Sequence, residues 1–204
     1  MAIPPGLGPG CRGFKSPLSD FFNATGTPNP PSPSKIYGEI LTMSKIPTIY
    51  LETTIFNFPF ADDAPQYRTD TLQLFTEIKT GKFRPFTSEY VLDELEDTQD
   101  TEKLKKMKAL IADHKVEVLQ GNDETIRLAK QYISAGVIPE KYSTDAIHIA
   151  SATVSGLDYI VSLNFRHIVK HKTIFETEVI NTREGFKRVF IHTPAEVIDY
   201  DENN

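Results

Sequence analysis

The strongest constraint on the fold is a regular alternation of short apolar segments with helical segments along residues 48–192. The apolar segments are short and rich in Ile, Val, Phe and Tyr, which is typical of strands buried on both faces of a sheet. We predict strands at Thr48–Leu51, Phe83–Thr87, Lys115–Leu119, Tyr159–Leu163 and Arg188–His192. Strands that alternate with helices pair in parallel, with helices over both faces. The sequence therefore predicts an α/β fold with a central parallel sheet of four to five strands.

Apolar spacing and capping residues place helices between these strands. Leu72, Phe75 and Ile78 recur at intervals of three, as on one face of a helix. Ser88 and Asn122 are suited to begin helices as N-caps. We predict helices at Gln66–Lys79, 88–97, Thr101–Asp113 and 122–135, within Pro139–Ser155 and near Phe175–Gly185, with an aromatic-rich connection at Ile55–Phe60.

Composition excludes several classes of protein. A chain of 204 residues with 39% hydrophobic content can bury one core, and its net charge of −6 argues against a strongly cationic, nonspecific nucleic-acid binder. The single Cys11 excludes an internal disulfide framework or a multi-cysteine zinc site, and it fits a reducing compartment, so we expect a cytoplasmic protein. No apolar run is long enough to span a membrane, and no signal-peptide pattern is present.

The first 42 residues differ in composition from the rest. They contain eight of the 14 prolines and six of the 11 glycines, without apolar periodicity, which predicts a disordered leader. This leader is a regulatory tail, a cloning artefact or the result of a start codon assigned too early. We favour the last explanation, with Met43 as the true start and residues 43–204 as the folded domain.

Oxygen-bearing side chains fall where predicted strands end or helices begin. Glu52 directly follows the first strand, Asn164 follows the fourth, and Asp145 opens the helix within Pro139–Ser155. In α/β sheets these points lie at the edge where ligands bind.

The helix after the second strand carries three acidic residues that are candidates for the same edge. Val91 and Leu95 define its buried face. Glu94 borders that face, Asp93 points outward, and Glu89 suits the first turn because of the helix dipole. Glu94 is therefore the predicted inward carboxylate.

Glu52, Glu94 and Asp145 would repel one another if they met without a cation. Such a cluster is stable mainly when it binds a hard divalent ion, and oxygen ligands favour Mg²⁺ or Mn²⁺ over Zn²⁺.

Four segments together resemble the PIN-domain family, with the bacterial VapC-like toxins as the nearest group. They are Tyr50–Thr54, Ser88–Leu95, Asp145–Ala152 and Ser162–Ile168, in family order, and the resemblance covers about Pro47 to Asp199. It implies a three-layer α/β/α fold and a Mg²⁺- or Mn²⁺-dependent endoribonuclease. In the toxin branch it also implies a homodimer, inhibition by a cognate antitoxin protein, and structured RNA such as tRNA as the target.

By position, the resemblance assigns the acidic set to Glu52, Glu94 and Asp145, with Asn164 in the fourth place. The family usually has Asp at the first and fourth places, so Glu52 adds a methylene and Asn164 removes a charge. Three carboxylates still offset one divalent ion, and we expect a second ion to need the substrate phosphate.

Neighbouring residues have predicted supporting roles. The Thr54 hydroxyl is suited to orient a water molecule or a carboxylate, although it is equally suited to satisfy backbone groups. Arg166, and with less support Lys170 or Lys172, is suited to contact the RNA backbone.

Each assignment has a structural alternative. Taken alone, Asp145 fits the role of an acid in the first turn of a helix, and Glu94 fits that of a solvated helix residue. Asn164 fits the role of a residue that begins a turn. His148 and His167 are interpreted as structural histidines. Tyr50, Phe56, Phe58 and Phe60 are interpreted as core or dimer surface rather than a base-stacking platform, and the lysines of 103–108 as a solvated face.

The sequence therefore supports two alternative functions. The first is a metal-dependent ribonuclease that serves as the toxin of a type II toxin–antitoxin pair. The second is a catalytically weakened PIN relative that binds RNA or protein, with Glu52 and Asn164 as the signs of decay.

Overall fold

The computed structural model describes residues 45–199. The expectations for the leader at 1–42, the start at Met43 and Cys11 lie outside these residues. Five strands form one parallel sheet in the order β3-β2-β1-β4-β5. Their bounds are β1 Thr48–Leu51, β2 Arg84–Ser88, β3 Glu117–Leu119, β4 Tyr159–Val161 and β5 Phe190–His192. The predicted α/β fold with a parallel sheet flanked by helices is confirmed.

Helices connect the strands. Their bounds are α1 Thr53–Asn57, α2 Pro65–Lys79, α3 Glu89–Glu96, α4 Thr101–Asp113, α5 Asp123–Ser134, α6 Ser143–Val154, α7 His171–Arg183 and α8 Pro194–Val197, with single 3₁₀ turns at Phe58–Phe60 and Glu140–Tyr142. Across residues 45–199, no helix has both the length and the hydropathy needed to cross a membrane.

The central strand β1 is buried on both faces, because every one of its residues is buried. It pairs with β2 on one side and with β4 on the other, and Leu51 is in register with Val161. From β1 the chain adds β2 and β3 on one side of the sheet, and it then adds β4 and β5 on the other side. This change of side creates a crevice beyond the carboxyl ends of β1 and β4. Glu52 donates its backbone N–H to the Val161 carbonyl, at 3.2 Å, and so lies at the floor of that crevice.

Several local predictions were wrong. The Ile55–Phe60 connection is helical, because the Glu52 carboxylate accepts a hydrogen bond from the Thr54 backbone N–H and begins α1. Glu is not a common N-cap residue, so the sequence pattern did not reveal it. Leu72 is 44% exposed, and Leu74 is fully buried instead, because a helix turns by 3.6 residues rather than three.

Ser88 does not cap α3 through its side chain. It is the last residue of β2, and its hydroxyl hydrogen-bonds to the Tyr50 hydroxyl in the core. Asn122, in contrast, caps α5 as predicted, because its side chain accepts from the Thr125 backbone N–H.

Candidate metal-binding site

Glu52 is held in the crevice by hydroxyl groups from two elements. Its side chain is buried, and Oε2 accepts hydrogen bonds from Thr54 Oγ1 at 2.6 Å and from Ser162 Oγ at 2.8 Å. The Thr54 backbone N–H also donates to Oε2, at 3.2 Å. Because these donors come from α1 and from the residue after β4, the carboxylate is fixed where β1 and β4 meet.

Glu94 reaches the same place from α3. Its Oε2 accepts hydrogen bonds from Thr53 Oγ1 and from His148 Nε2, the latter at 3.0 Å. Asp93, one residue earlier, is exposed. The structure therefore turns Glu94 inward and leaves Asp93 in solvent, as the helical spacing of the apolar residues indicated.

His148 links Glu94 to the core. Its side chain is fully buried, and Nδ1 lies 2.8 Å from the Tyr50 hydroxyl, which in turn lies 2.7 Å from Ser88 Oγ. Both ring nitrogens are therefore engaged in hydrogen bonds. The interpretation of His148 as a hydrogen-bonded structural histidine agrees with this geometry, but its partner Glu94 belongs to the site itself.

Asp145 lies in the first turn of α6 and is half-buried. Its Oδ1 accepts a hydrogen bond from Asn164 Nδ2 at 2.9 Å. Asn164 Oδ1 accepts from the His167 backbone N–H at 3.1 Å, and the Asn164 backbone N–H donates to Ser162 Oγ at 2.9 Å. Both polar atoms of the Asn164 amide are thus committed to the protein. Asn164 positions Asp145 in addition to beginning a turn.

The pKa of Asp145 is shifted by burial first and by the surrounding charges second. Burial raises this pKa to about 6. The negative charges of Glu52 and Glu94 contribute to the rise. His148 and Asn164 act in the opposite direction. Asp145 therefore takes up a proton near pH 6 unless another positive charge enters the site.

Glu94 and His148 stabilise each other's charged forms. Burial acts to raise the pKa of Glu94, but the hydrogen bond and charge of His148 and the hydrogen bond from Thr53 bring the pKa below its ordinary value. Burial acts to lower the pKa of His148, but the hydrogen bond to Glu94 and the surrounding carboxylates raise it. Each side chain therefore favours the charged form of the other across their 3.0 Å hydrogen bond.

The chemistry of the donors fits a divalent cation. Ligand atoms of Glu52, Glu94 and His148 all lie within 4.8 Å of one another. Asp145, predicted as the third carboxylate ligand, lies outside this group but beside it, since it interacts electrostatically with all three. Because both His148 nitrogens are hydrogen-bonded, the carboxylates are the groups free to bind an ion. Over residues 45–199, no hydrogen bond reaches Glu52 Oε1, Glu94 Oε1 or Asp145 Oδ2.

The Thr54 hydroxyl proton is committed to a carboxylate of the site. Its Oγ1 donates to Glu52 and accepts from the Leu163 backbone N–H at 2.9 Å. The hydroxyl therefore orients the Glu52 carboxylate and also satisfies a backbone N–H, as two of its predicted roles require.

Arg166 is exposed, and its guanidinium lies over the Tyr142 ring, 5.5 Å from the centroid. Lys141 lies over the same ring at 4.8 Å. The positive charges of Arg166, Lys170 and Lys141 contribute, after burial, to a lowered pKa of His167. A local basic patch of Lys141, Arg166 and Lys170 therefore exists beside Asn164, despite the negative net charge.

The hydroxyl donors of the site were missed in the sequence. Thr53 and Ser162 each bind a carboxylate, and Tyr50 and Ser88 extend the His148 network. The available signal was the presence of hydroxyl groups in otherwise apolar strand ends, such as Ser162 in Val-Ser-Leu-Asn.

Comparisons with known proteins gave one kind of similarity. No family model matches the chain, and no curated protein matches it. Among solved structures, it is similar to the crystal structure of VapBC2 from Rickettsia felis bound to a DNA fragment from their promoter, with a TM-score of 0.45 and 14% sequence identity. The match covers 72% of this chain and 98% of that chain. The resemblance to the PIN-domain family therefore rests on the four sequence motifs.

Proposed function

We propose that this protein is a metal-dependent endoribonuclease of the PIN type. The observation that carries the proposal is the group of Glu52, Glu94 and His148, whose possible ligand atoms lie within 4.8 Å of one another beyond β1 and β4. Asp145 lies beside this group, and burial, with a further contribution from the neighbouring carboxylates, raises its pKa to about 6. Clusters of this kind favour a hard divalent cation, and we propose Mg²⁺ or Mn²⁺.

The chain's own residues prepare the site for phosphodiester hydrolysis. Glu52, Glu94 and Asp145 would hold the ion through their carboxylate oxygens, and Asn164 orients Asp145. When bound, such an ion activates a water molecule and neutralises negative charge that develops on the phosphate. His148 fixes the Glu94 carboxylate, so the site does not need to reorganise when the substrate arrives.

The RNA backbone is proposed to lie along the basic patch of Lys141, Arg166 and Lys170. Arg166 is the best placed of these, because it is two residues from Asn164, and no ion pair involves it within residues 45–199. An exposed guanidinium without a carboxylate partner is available for a phosphate.

The wider role is proposed from the motif resemblance. The protein would act in the cytoplasm as the toxin of a type II toxin–antitoxin pair, as a homodimer, with a cognate antitoxin protein and structured RNA, such as tRNA, as its target. The neighbouring reading frame provides a test, because the toxin role requires a small partner gene beside this one.

Purified protein incubated with total RNA and Mg²⁺ or Mn²⁺ tests the enzymatic proposal. The wild type should cleave RNA, EDTA should abolish cleavage, and Asp145→Asn should reduce the rate by at least about a hundredfold. Asp123→Asn is the matched control, because Asp123 is an exposed first-turn acid on α5. Cleavage that is equal in wild type and Asp145→Asn would contradict the proposal.

A catalytically weakened PIN relative is the second candidate. The observation that favours it is Asn164, whose amide has both polar atoms bound within the protein and contributes no negative charge. This candidate predicts RNA binding by the wild type without metal-dependent cleavage.

A further inference from the structure

An open cavity of about 350 Å³ adjoins the carboxylate cluster and is not part of it. Its lining consists of residues from α1, α2 and the segment between them: Thr54, Asn57, Phe58, Ala61, Asp63, Ala64 and Tyr67. Thr54 belongs to both places, because its side chain lines the cavity while its hydroxyl donates to Glu52. Whatever enters this cavity therefore lies beside the proposed cleavage site.

Aromatic rings form one wall and the rim of the cavity. Phe58 packs edge-on against Tyr67, with centroids 5.5 Å apart, and Tyr67 lies 5.4 Å from Phe165. Tyr67 is 40% exposed and Phe165 is 45% exposed, so both rings present surface to solvent. Tyr67 and Phe165 form an aromatic ledge, and the less exposed Phe58 packs against Tyr67. Because Phe165 directly follows Asn164, this ledge extends from the cavity towards the carboxylate site.

The polar groups of the lining select against a phosphate. No Lys or Arg lines the cavity, and Asp63 contributes a carboxylate. Asn57 supplies an amide with both a donor and an acceptor. An acidic and amide lining suits the hydrogen-bonding edge of a nucleobase, whose amino groups donate, rather than the sugar–phosphate backbone.

We propose that this cavity is a subsite for one unpaired nucleobase of the RNA substrate, stacked on the ledge of Tyr67 and Phe165. This inference rests on the proposed ribonuclease function and deepens it. Bases that are splayed out of a single strand stack on exposed aromatic rings, whereas bases within a duplex are not available to them. The backbone next to the bound base would pass between the carboxylates and the basic patch at Arg166.

Binding to a short unstructured oligoribonucleotide, measured by fluorescence anisotropy in Ca²⁺ in place of Mg²⁺, tests the subsite without turnover. Tyr67→Ala and Phe165→Ala should each weaken binding about fivefold to thirtyfold, as expected for the loss of one stacking ring. Tyr67→Phe should restore wild-type affinity. Phe175→Ala is the matched control, because Phe175 is a 62% exposed aromatic residue that lines a different cavity. The same sequence in a duplex should bind more weakly, and its affinity should be insensitive to Tyr67→Ala.

Photocrosslinking gives a second readout. An oligoribonucleotide that contains 5-iodouracil should crosslink to Tyr67 or Phe165 and not to Phe175, as identified by mass spectrometry of the protein. Equal RNA affinity for wild type and both alanine variants, or crosslinks elsewhere, would overturn the subsite and leave protein docking as the use of the ledge. Absence of cleavage in Mg²⁺ with ring-dependent binding intact would overturn only the ribonuclease function.

Discussion

His148 Nε2 lies 3.0 Å from Glu94 Oε2, while the other ring nitrogen is held by the Tyr50 hydroxyl, 2.8 Å away. The buried His148 imidazole thus bridges Glu94 on α3 and Tyr50 on the central strand β1. Glu94 keeps its second oxygen free of hydrogen bonds within residues 45–199. The relationship predicts that His148 acts on a bound cation through the orientation of Glu94.

His148→Gln should lower Mn²⁺ affinity about tenfold to a hundredfold, because the Glu94 carboxylate loses the buried imidazole that fixes it. Isothermal titration calorimetry measures the change. Tyr50→Phe is the comparison variant, since it removes the more distant partner of His148. It should cost about 1–3 kcal/mol of stability with a smaller effect on affinity. Equal losses of Mn²⁺ affinity in the two variants would contradict the positioning role.

Asp145→Asn should stabilise the metal-free protein while it removes activity. A carboxyl group whose pKa is raised to about 6 is costly to keep charged above that pH, and Asn retains the acceptor for Asn164. Allowing for its partial exposure, we expect a gain of about 1 kcal/mol in the free energy of unfolding at pH 8. Urea denaturation in EDTA measures it, with Asp93→Asn as the control.

The sign of the pH dependence follows from the same shift. Because the folded protein binds the Asp145 proton more tightly than the unfolded chain, this group's contribution to stability rises as the pH falls from above 6 towards 4. The difference between Asp145→Asn and wild type should therefore shrink between pH 8 and pH 5. A variant that is less stable than wild type at pH 8 would contradict the raised pKa of Asp145.

Asn164→Asp should have opposite effects with and without metal. It replaces the 2.9 Å hydrogen bond to Asp145 by a contact between two acids, so we expect a loss of about 1–3 kcal/mol of stability in EDTA. The added charge should increase the thermal stabilisation that Mn²⁺ gives. Thermal unfolding with and without Mn²⁺ measures both. Greater stability than wild type in EDTA would show that Asn164 does not pack against an ionisable carboxylate.

Asp158 should govern part of the acid stability of the fold. It accepts hydrogen bonds from the backbone N–H and hydroxyl of Thr48 at 2.9 and 2.8 Å, and it pairs with Lys187. Burial acts to raise its pKa, but the Lys187 and Thr48 hydrogen bonds lower the pKa to about 2. A depressed carboxyl pKa stabilises the fold above the unfolded value of about 3.9, and that stabilisation is lost as the pH falls towards 2.

Asp158→Asn should therefore cost about 1–2 kcal/mol at pH 7, and its deficit relative to wild type should shrink between pH 5 and pH 2. Circular dichroism at a series of pH values follows the effect. Asp62→Asn is the control, because Asp62 forms an exposed ion pair with Arg68 that contributes little. A pH-independent deficit for Asp158→Asn would contradict the assigned titration.

Local sequence pattern selected carboxylates that lie near the crevice, and their role as metal ligands stays a prediction. Glu52 was selected because it ends an apolar strand, and Glu94 because helical spacing turns it inward. Asp145 was selected because it lies in a first helical turn, and it lies beside the group of Glu52, Glu94 and His148 rather than within it. The parallel sheet followed from the alternation of strands and helices.

The hydrogen bonds that orient these groups could not be predicted, because they join residues far apart in sequence. His148 and Glu94 are separated by 54 residues, and Ser162 and Glu52 by 110. From the family resemblance, Asn164 was assigned to the fourth position of the acidic set. Its hydrogen bond to Asp145 depends on how the turn after β4 packs against α6, which no sequence pattern encodes.

The most direct test of the account is Mn²⁺ binding to the purified protein, followed by electron paramagnetic resonance of the free ion. We predict one tightly bound Mn²⁺ per chain. Glu94→Gln should weaken this binding at least about tenfold, and Asp93→Asn, one residue away on the same helix, should bind as wild type does. Absence of bound Mn²⁺ in the wild type, or equal binding by wild type and Glu94→Gln, would contradict the central claim that these carboxylates form a metal site.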